Sequence, residues 1–117
     1  MKRYQLAKAD RIRRPADYRS LSKVGRRRHC EHFILVYRKT DCSTIRLGIT
    51  VSKKVGKAVT RNKIKRIIRD YFRLNRDRLP ERMDINVIAR HTAGRLEAAE
   101  IRENLGRCFE KIAEKAD

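Results

Sequence analysis

From a start near Ala58 or Thr60 through Arg76, the chain reads as a helix with two incompatible faces. On a wheel at ~100° per residue, Ile64, Ile67, Ile68, Tyr71, Phe72 and Leu74 gather into one apolar stripe. Asn62, Lys65, Arg66, Arg69, Arg73 and Arg76 share a second arc of roughly 100°, with Arg61 at its margin. The stripe must lie on a core, so this helix packs against other elements along its length. The opposite arc holds cations, a single amide and no carboxylate. Arg61, Lys65, Arg69 and Arg73 recur every four residues, where like charges repel by a few tenths of a kcal/mol per pair. Asp70, the one acidic residue between Arg61 and Arg73, falls off the arc. Solvated helix faces ordinarily mix signs. An unrelieved cationic row calls for an external counter-charge, and phosphates supply one. Arginine predominates in it, and a planar guanidinium both binds phosphate bidentately and stacks on unpaired bases.

The remaining elements are short. Pro15 suits the first position of a helix running through Tyr18 and Leu21 to a stop at Gly25. Phe33 to Arg38 (FILVYR) reads as a strand, with Arg26 to His29 as a possible short basic strand before it. Thr40 to Ser43 has turn character. A second strand is expected from about Thr44 to Ser52, where Leu47, Ile49 and Val51 alternate with Gly48, Thr50 and Ser52. The small or polar side of that strand leaves room for another group to lie on it. Lys53 to Lys57 form a basic loop before the long helix, and Pro80 closes the segment after it. Met83 to Ala89 (MDINVIA) make a further strand. A terminal helix from about Arg95 to Glu114 carries Leu96, Ile101, Leu105, Phe109 and Ile112 near the helical period. The order α-β-β-α-β-α implies an α+β fold, a small two-layer α/β sandwich in one domain. Residues 1–14 are polar and basic and read as a loose arm.

The charge is one-sided: 32 Lys and Arg against 14 Asp and Glu give a net +18. Residues 1–80 carry 25 basic and 6 acidic side chains, whereas residues 81–117 carry 7 and 8, so the whole excess lies before Pro80. A polyanionic partner should therefore dock on those elements. Three cysteines, Cys30, Cys42 and Cys108, show no C-x-x-C spacing; this argues against a disulfide framework or zinc ribbon and fits a reducing cytoplasm. No run approaches the ~18 apolar residues of a membrane span. His29 and His32 flank Cys30 and Glu31, but as strand neighbours they would point to opposite faces, and no metal is expected on the protein. No local motif suggests a protein-borne catalytic residue.

The run from Gly48 to Arg73, GITVSKKVGKAVTRNKIKRIIRDYFR, resembles the signature of the bacterial ribonuclease P protein family. There a strand ends in Ser-Lys-Lys, a Gly-x-Ala-Val loop follows, and Arg-Asn-Arg opens a basic helix. Ser52, Lys53, Lys54, Gly56, Ala58, Val59, Arg61, Asn62, Lys65, Arg66, Arg69 and Phe72 match. The resemblance implies a fold like the second domain of ribosomal protein S5, with a left-handed βαβ crossover that the general rule does not anticipate. It also implies a job: assisting a catalytic RNA that removes the 5′ leader from precursor tRNA with Mg²⁺, a metal held mainly by the RNA. The implied partners are that RNA, bound by one protein copy, and precursor tRNA.

By position, the resemblance assigns Lys53, Lys54, Arg61, Asn62, Lys65, Arg66 and Arg69 to the RNA, and the charge of the loop and of the wheel face adds Lys57 and Arg73 to that set. It assigns the leader to Tyr18, to the position of Ser22 and to a strand residue that falls at Val36 or Tyr37 depending on register, with Tyr37 the aromatic candidate. Two departures stand out. Ser22 replaces the second of two aromatics usual on the first helix, removing one stacking platform, and Lys63 replaces an Arg, which loses the bidentate fork. A basic ribosomal protein or a general RNA chaperone would share the charge and size without any role in cleavage, and a stand-alone nuclease would cut without an RNA partner.

Overall fold

In a computed structural model, which describes residues 8–41, 44–79 and 82–115, the strand-forming runs assemble into one four-stranded sheet. Strands β1 (Arg26–His29), β2 (Phe33–Lys39), β3 (Arg46–Thr50) and β4 (Met83–Ala89) take the spatial order β1-β2-β4-β3. The pairs β1/β2 and β2/β4 are antiparallel, while β3/β4 is parallel. Parallel neighbours need a crossover, and helix α2 (Ala58–Asn75) supplies it. Helices α1 (Pro15–Val24) and α3 (Ala98–Lys115) complete the order α-β-β-β-α-β-α. The short basic strand expected at 26–29 is thus present.

Strand alternation assigns the two sheet faces. Phe33, Leu35 and Tyr37 of β2 point with Ile85 and Val87 of β4 into the main core, which α2 fills with Ile64, Ile67, Ile68 and Phe72. The stripe of α3, Ile101, Leu105, Phe109 and Ile112, closes the same core. Between the helices the Tyr71 ring meets Phe109 edge-on at 5.3 Å, and burial raises the Tyr71 phenol above its ordinary pKa. The opposite sheet face carries a smaller cluster of Leu21 from α1, Val36 from β2 and Ile12.

Several expectations need correction. Ile12 is 4% exposed, its N–H donates to Leu47 O at 2.9 Å, and Arg11 bridges Leu47 in parallel, so residues 8–14 are not a loose arm. They extend the sheet past β3, where unpaired edge groups offer partners. Residues 1–7 of the arm, the turn at 42–43 and Pro80 lie outside the described residues. Leu74, at the rim of the wheel stripe, is 68% exposed rather than core. The second strand is shorter than expected, and α3 starts later. A 3₁₀ turn at His91–Arg95 precedes α3, and the Glu100 carboxylate accepts the Glu97 N–H at 2.9 Å, in the manner of a capping box. Cys30 and Cys108 form a disulfide across 78 residues, with Cα atoms 6.2 Å apart, although the spacing had argued against a disulfide framework. That contact joins the β1–β2 turn to α3, a pairing set by tertiary packing and invisible to local motif spacing.

Candidate nucleic-acid interface

Lys53, Lys54 and Lys57 project from an exposed loop whose middle residue, Val55, is buried. The Val55 N–H donates to Ser52 O at 3.1 Å, closing the turn. Beneath it the chain at Gly94 comes so near that a Cβ there would lie 2.0 Å from Val55 O. Helix α2 begins directly after Lys57 with no acidic residue in its first turn. The positive end of its dipole therefore adds to the lysines instead of being offset.

Along α2, Asn62, Arg66 and Arg69 are exposed, while Arg61, Lys65 and Arg73 are half-buried. The wheel face is real but unequal. Arg73 Nη2 lies 3.9 Å from Asp70, and Arg76 pairs with Asp10 at 3.3 Å while its guanidinium sits 5.4 Å over the Phe72 ring. Those two cations are partly committed to the fold. Lys65 and Arg69, by contrast, line a hollow of about 220 Å³ with Arg11, Arg13 and Tyr18, at the outer edge of β3. Arg11 and Arg13 were missed by sequence reasoning, because only the sheet-edge contact of Ile12 brings the amino-terminal segment beside α2.

On the other sheet face, register places Val36, Asn86 and Gly48 in one row, and Ile34, Ile88 and Thr50 in the next. Helix α1 covers the first row. Tyr18 lies on Gly48, where an added Cβ would approach its ring to 2.7 Å, so the small side of β3 is filled as its alternation suggests. The Tyr18 hydroxyl donates to Ile12 O at 3.1 Å and accepts the Ile49 N–H at 3.3 Å. It thereby ties the amino-terminal segment, α1 and the β3 edge together. Tyr18→Phe is expected to keep the ring in place but lower stability by about 1 kcal/mol, or roughly 4 °C in Tm. A thermal melt equal to wild type would remove the hydroxyl from that role. Ser22, one turn beyond Tyr18, is exposed.

Tyr37 does not join this surface. It is 7% exposed and packs in the main core, on the face opposite α1. A one-residue step along a strand reverses the side chain, and Val36 is the residue that faces α1. The third row of the α1 face is ionic. Arg46 holds the buried Asp84 bidentately, Nε to Oδ1 at 2.8 Å and Nη2 to Oδ2 at 2.7 Å, and reaches Asp17 at 3.8 Å. Near the β1–β2 turn, His32 Nδ1 lies 2.7 Å from Thr92 Oγ1, and His29 is exposed at the end of β1. Among the described residues no three His, Cys, Asp or Glu side chains meet in a metal-binding group.

A cationic loop and a cationic helix that meets Tyr18 at the β3 edge, with a partly apolar row of strand residues beside α1, define a small RNA-binding α/β sandwich. The ribonuclease P family model matches residues 6–113. The ribonuclease P protein component of Desulforapulum autotrophicum is 48% identical over 109 residues, covering 93% of each chain. That of Staphylococcus epidermidis is 41% identical over 101 residues, 86% of this chain and 87% of the relative. Among solved structures, the Staphylococcus aureus RNase P protein superposes with a TM-score of 0.84 at 36% identity, covering 89% of this chain and 95% of that one. The Thermotoga maritima RNase P protein gives 0.79 at 36% identity, covering 87% and 96%. The chain belongs to the ribonuclease P protein family.

Proposed function

We propose that this chain is the protein subunit of a ribonuclease P ribonucleoprotein, where it binds the catalytic RNA and the 5′ leader of precursor tRNA. The observation that carries the reading is the division of its surface. The loop lysines and the α2 cations form a ridge of positive charge suited to phosphates of a folded RNA. The strip of sheet beside α1, where Ile34, Ile88 and Thr50 form the row next to the one that Tyr18 and Leu21 cover, suits a single strand with unstacked bases. One copy of the protein serves one RNA, since its charge opposes self-association.

The hydrolysis belongs to the RNA. Asp84 and Asp17 face Arg46, and Asp10 faces Arg76. A dication at any of these carboxylates would meet a guanidinium first, so the acidic side chains of this surface do not fit Mg²⁺. The metal required for cleavage is assigned to the RNA. The reading places the complex in the cytoplasm; among the described residues no helix is long and apolar enough to cross a membrane.

The test is reconstitution. Mixed with a bacterial ribonuclease P RNA and precursor tRNA at low Mg²⁺, the protein is expected to stimulate cleavage at a single 5′ site and to cut nothing alone. Cleavage by the protein without RNA, or no stimulation with it, would return the chain to the class of ribosomal proteins, chaperones or stand-alone nucleases.

A further inference from the structure

To the strip of sheet beside α1, strand β1 contributes a residue that its composition hides. Of the three consecutive arginines Arg26, Arg27 and Arg28, only Arg27 pairs with Val36 and so points to the face that carries α1. Arg27 is exposed, yet its guanidinium is not free to wander. Its Nη2 donates to Ser22 Oγ at 3.0 Å and to the Ser22 carbonyl at 3.3 Å. Ser22 stands one helical turn after Tyr18, on the same side of α1. A planar cation is therefore fixed where a hydroxyl alone would offer a passing base nothing to stack on.

The rest of the strip explains why such a group matters. Val36 is covered by α1, and Tyr37 lies in the opposite core, so β2 presents no aromatic ring there. Tyr18 is the only Phe, Tyr or Trp among the described residues of this face, and part of its ring is spent on Gly48. His29, exposed and paired with Ile34, shares the face but makes no hydrogen bond to α1 that would fix its ring there. A guanidinium stacks on unpaired bases and takes a phosphate bidentately. Holding it at one nitrogen lowers the ordering cost paid when a ligand binds.

We propose that Arg27, positioned by Ser22, is the second leader-binding platform of this chain, contacting a base or phosphate of the single-stranded leader. The proposal rests on the leader reading above. It makes Ser22 a positioning residue rather than a contact.

The experiment uses the full protein reconstituted with catalytic RNA, and measures affinity for precursor tRNA with a multi-nucleotide leader against mature tRNA. Arg27→Ala is expected to cut the precursor-over-mature ratio about tenfold, within the range of one lost stacking contact. Ser22→Ala, which frees the guanidinium without removing it, should cut the ratio by less. Mature tRNA affinity and assembly with the RNA should hold. Adding Ser22→Phe to Arg27→Ala should restore most of the ratio, because a ring then supplies the platform. A ratio unchanged by Arg27→Ala, while the wild-type ratio still rises with leader length, would overturn the role of Arg27 and leave the leader reading intact. Equal losses for both RNAs would also overturn it, as loss of general charge. A wild-type ratio indifferent to the leader would instead bring down the leader reading, and Arg27 with it.

Discussion

Replacing Lys65, Arg66 and Arg69 together by alanine is expected to weaken binding of the catalytic RNA at least a hundredfold, with little change in stability. Each cation that neutralises a phosphate releases counterions, so the slope of log K against log[salt] should flatten by about 2 to 3 units. Among the described residues none of these three takes part in an ion pair, whereas Arg73 and Arg76 contact Asp70 and Asp10. The triple change therefore removes repulsion along α2 without breaking a partner's bond. Alanine is also the best helix former. A melting temperature equal to or slightly above wild type, combined with lost affinity, is the signature of an assembly surface. Unchanged affinity and salt slope would make the face an ordinary solvated one. The corresponding change at Arg73 or Arg76 is a poorer test, since it would mix lost binding with a loosened helix end.

This contrast marks how far the sequence was legible. Helix α2 could be read because one face is buried and the other charged, so its period of 3.6 shows in the residues themselves. Strand β2 could not be read so finely. Its FILVYR run is apolar on both sides because α1 covers one face and α2 and α3 the other, which erases the alternation that would have placed Tyr37. Among the described residues of the amino-terminal segment Ile12 alone is buried in the core, and one residue has no period. Arg27 was equally hidden: three arginines in a row look alike until the pairing of β1 with β2 gives each a face. The cation pairs Arg46–Asp84 and Arg76–Asp10 span 38 and 66 residues, beyond any local pattern. What the residues revealed was the assembly face; the details of the strip beside α1 depend on register, which only the fold supplies.

Gly94→Ala is expected to be among the most damaging single substitutions in the chain, and to act on both stability and RNA binding. The Cβ it adds would lie 2.0 Å from the Val55 carbonyl oxygen and 3.2 Å from the carbonyl carbon, both backbone atoms that cannot rotate away. One of two segments must shift: the 3₁₀ turn His91–Arg95 or the loop that carries Lys53, Lys54 and Lys57. The turn is anchored by Ala93, which is fully buried, and the loop by Val55, 6% exposed. Either movement opens the core between α2 and β4. Overpacking usually costs about 1–3 kcal/mol and occasionally more; with rigid backbone on both sides, about 3 kcal/mol and a fall of roughly 10 °C in Tm are expected. The loop lysines would be displaced relative to α2, so RNA affinity measured well below the new Tm should also drop, about tenfold. Equal stability would mean that the loop yields freely and is not held by Gly94. Lost stability with full RNA affinity would separate the two effects and show that the turn, not the lysine loop, absorbs the shift.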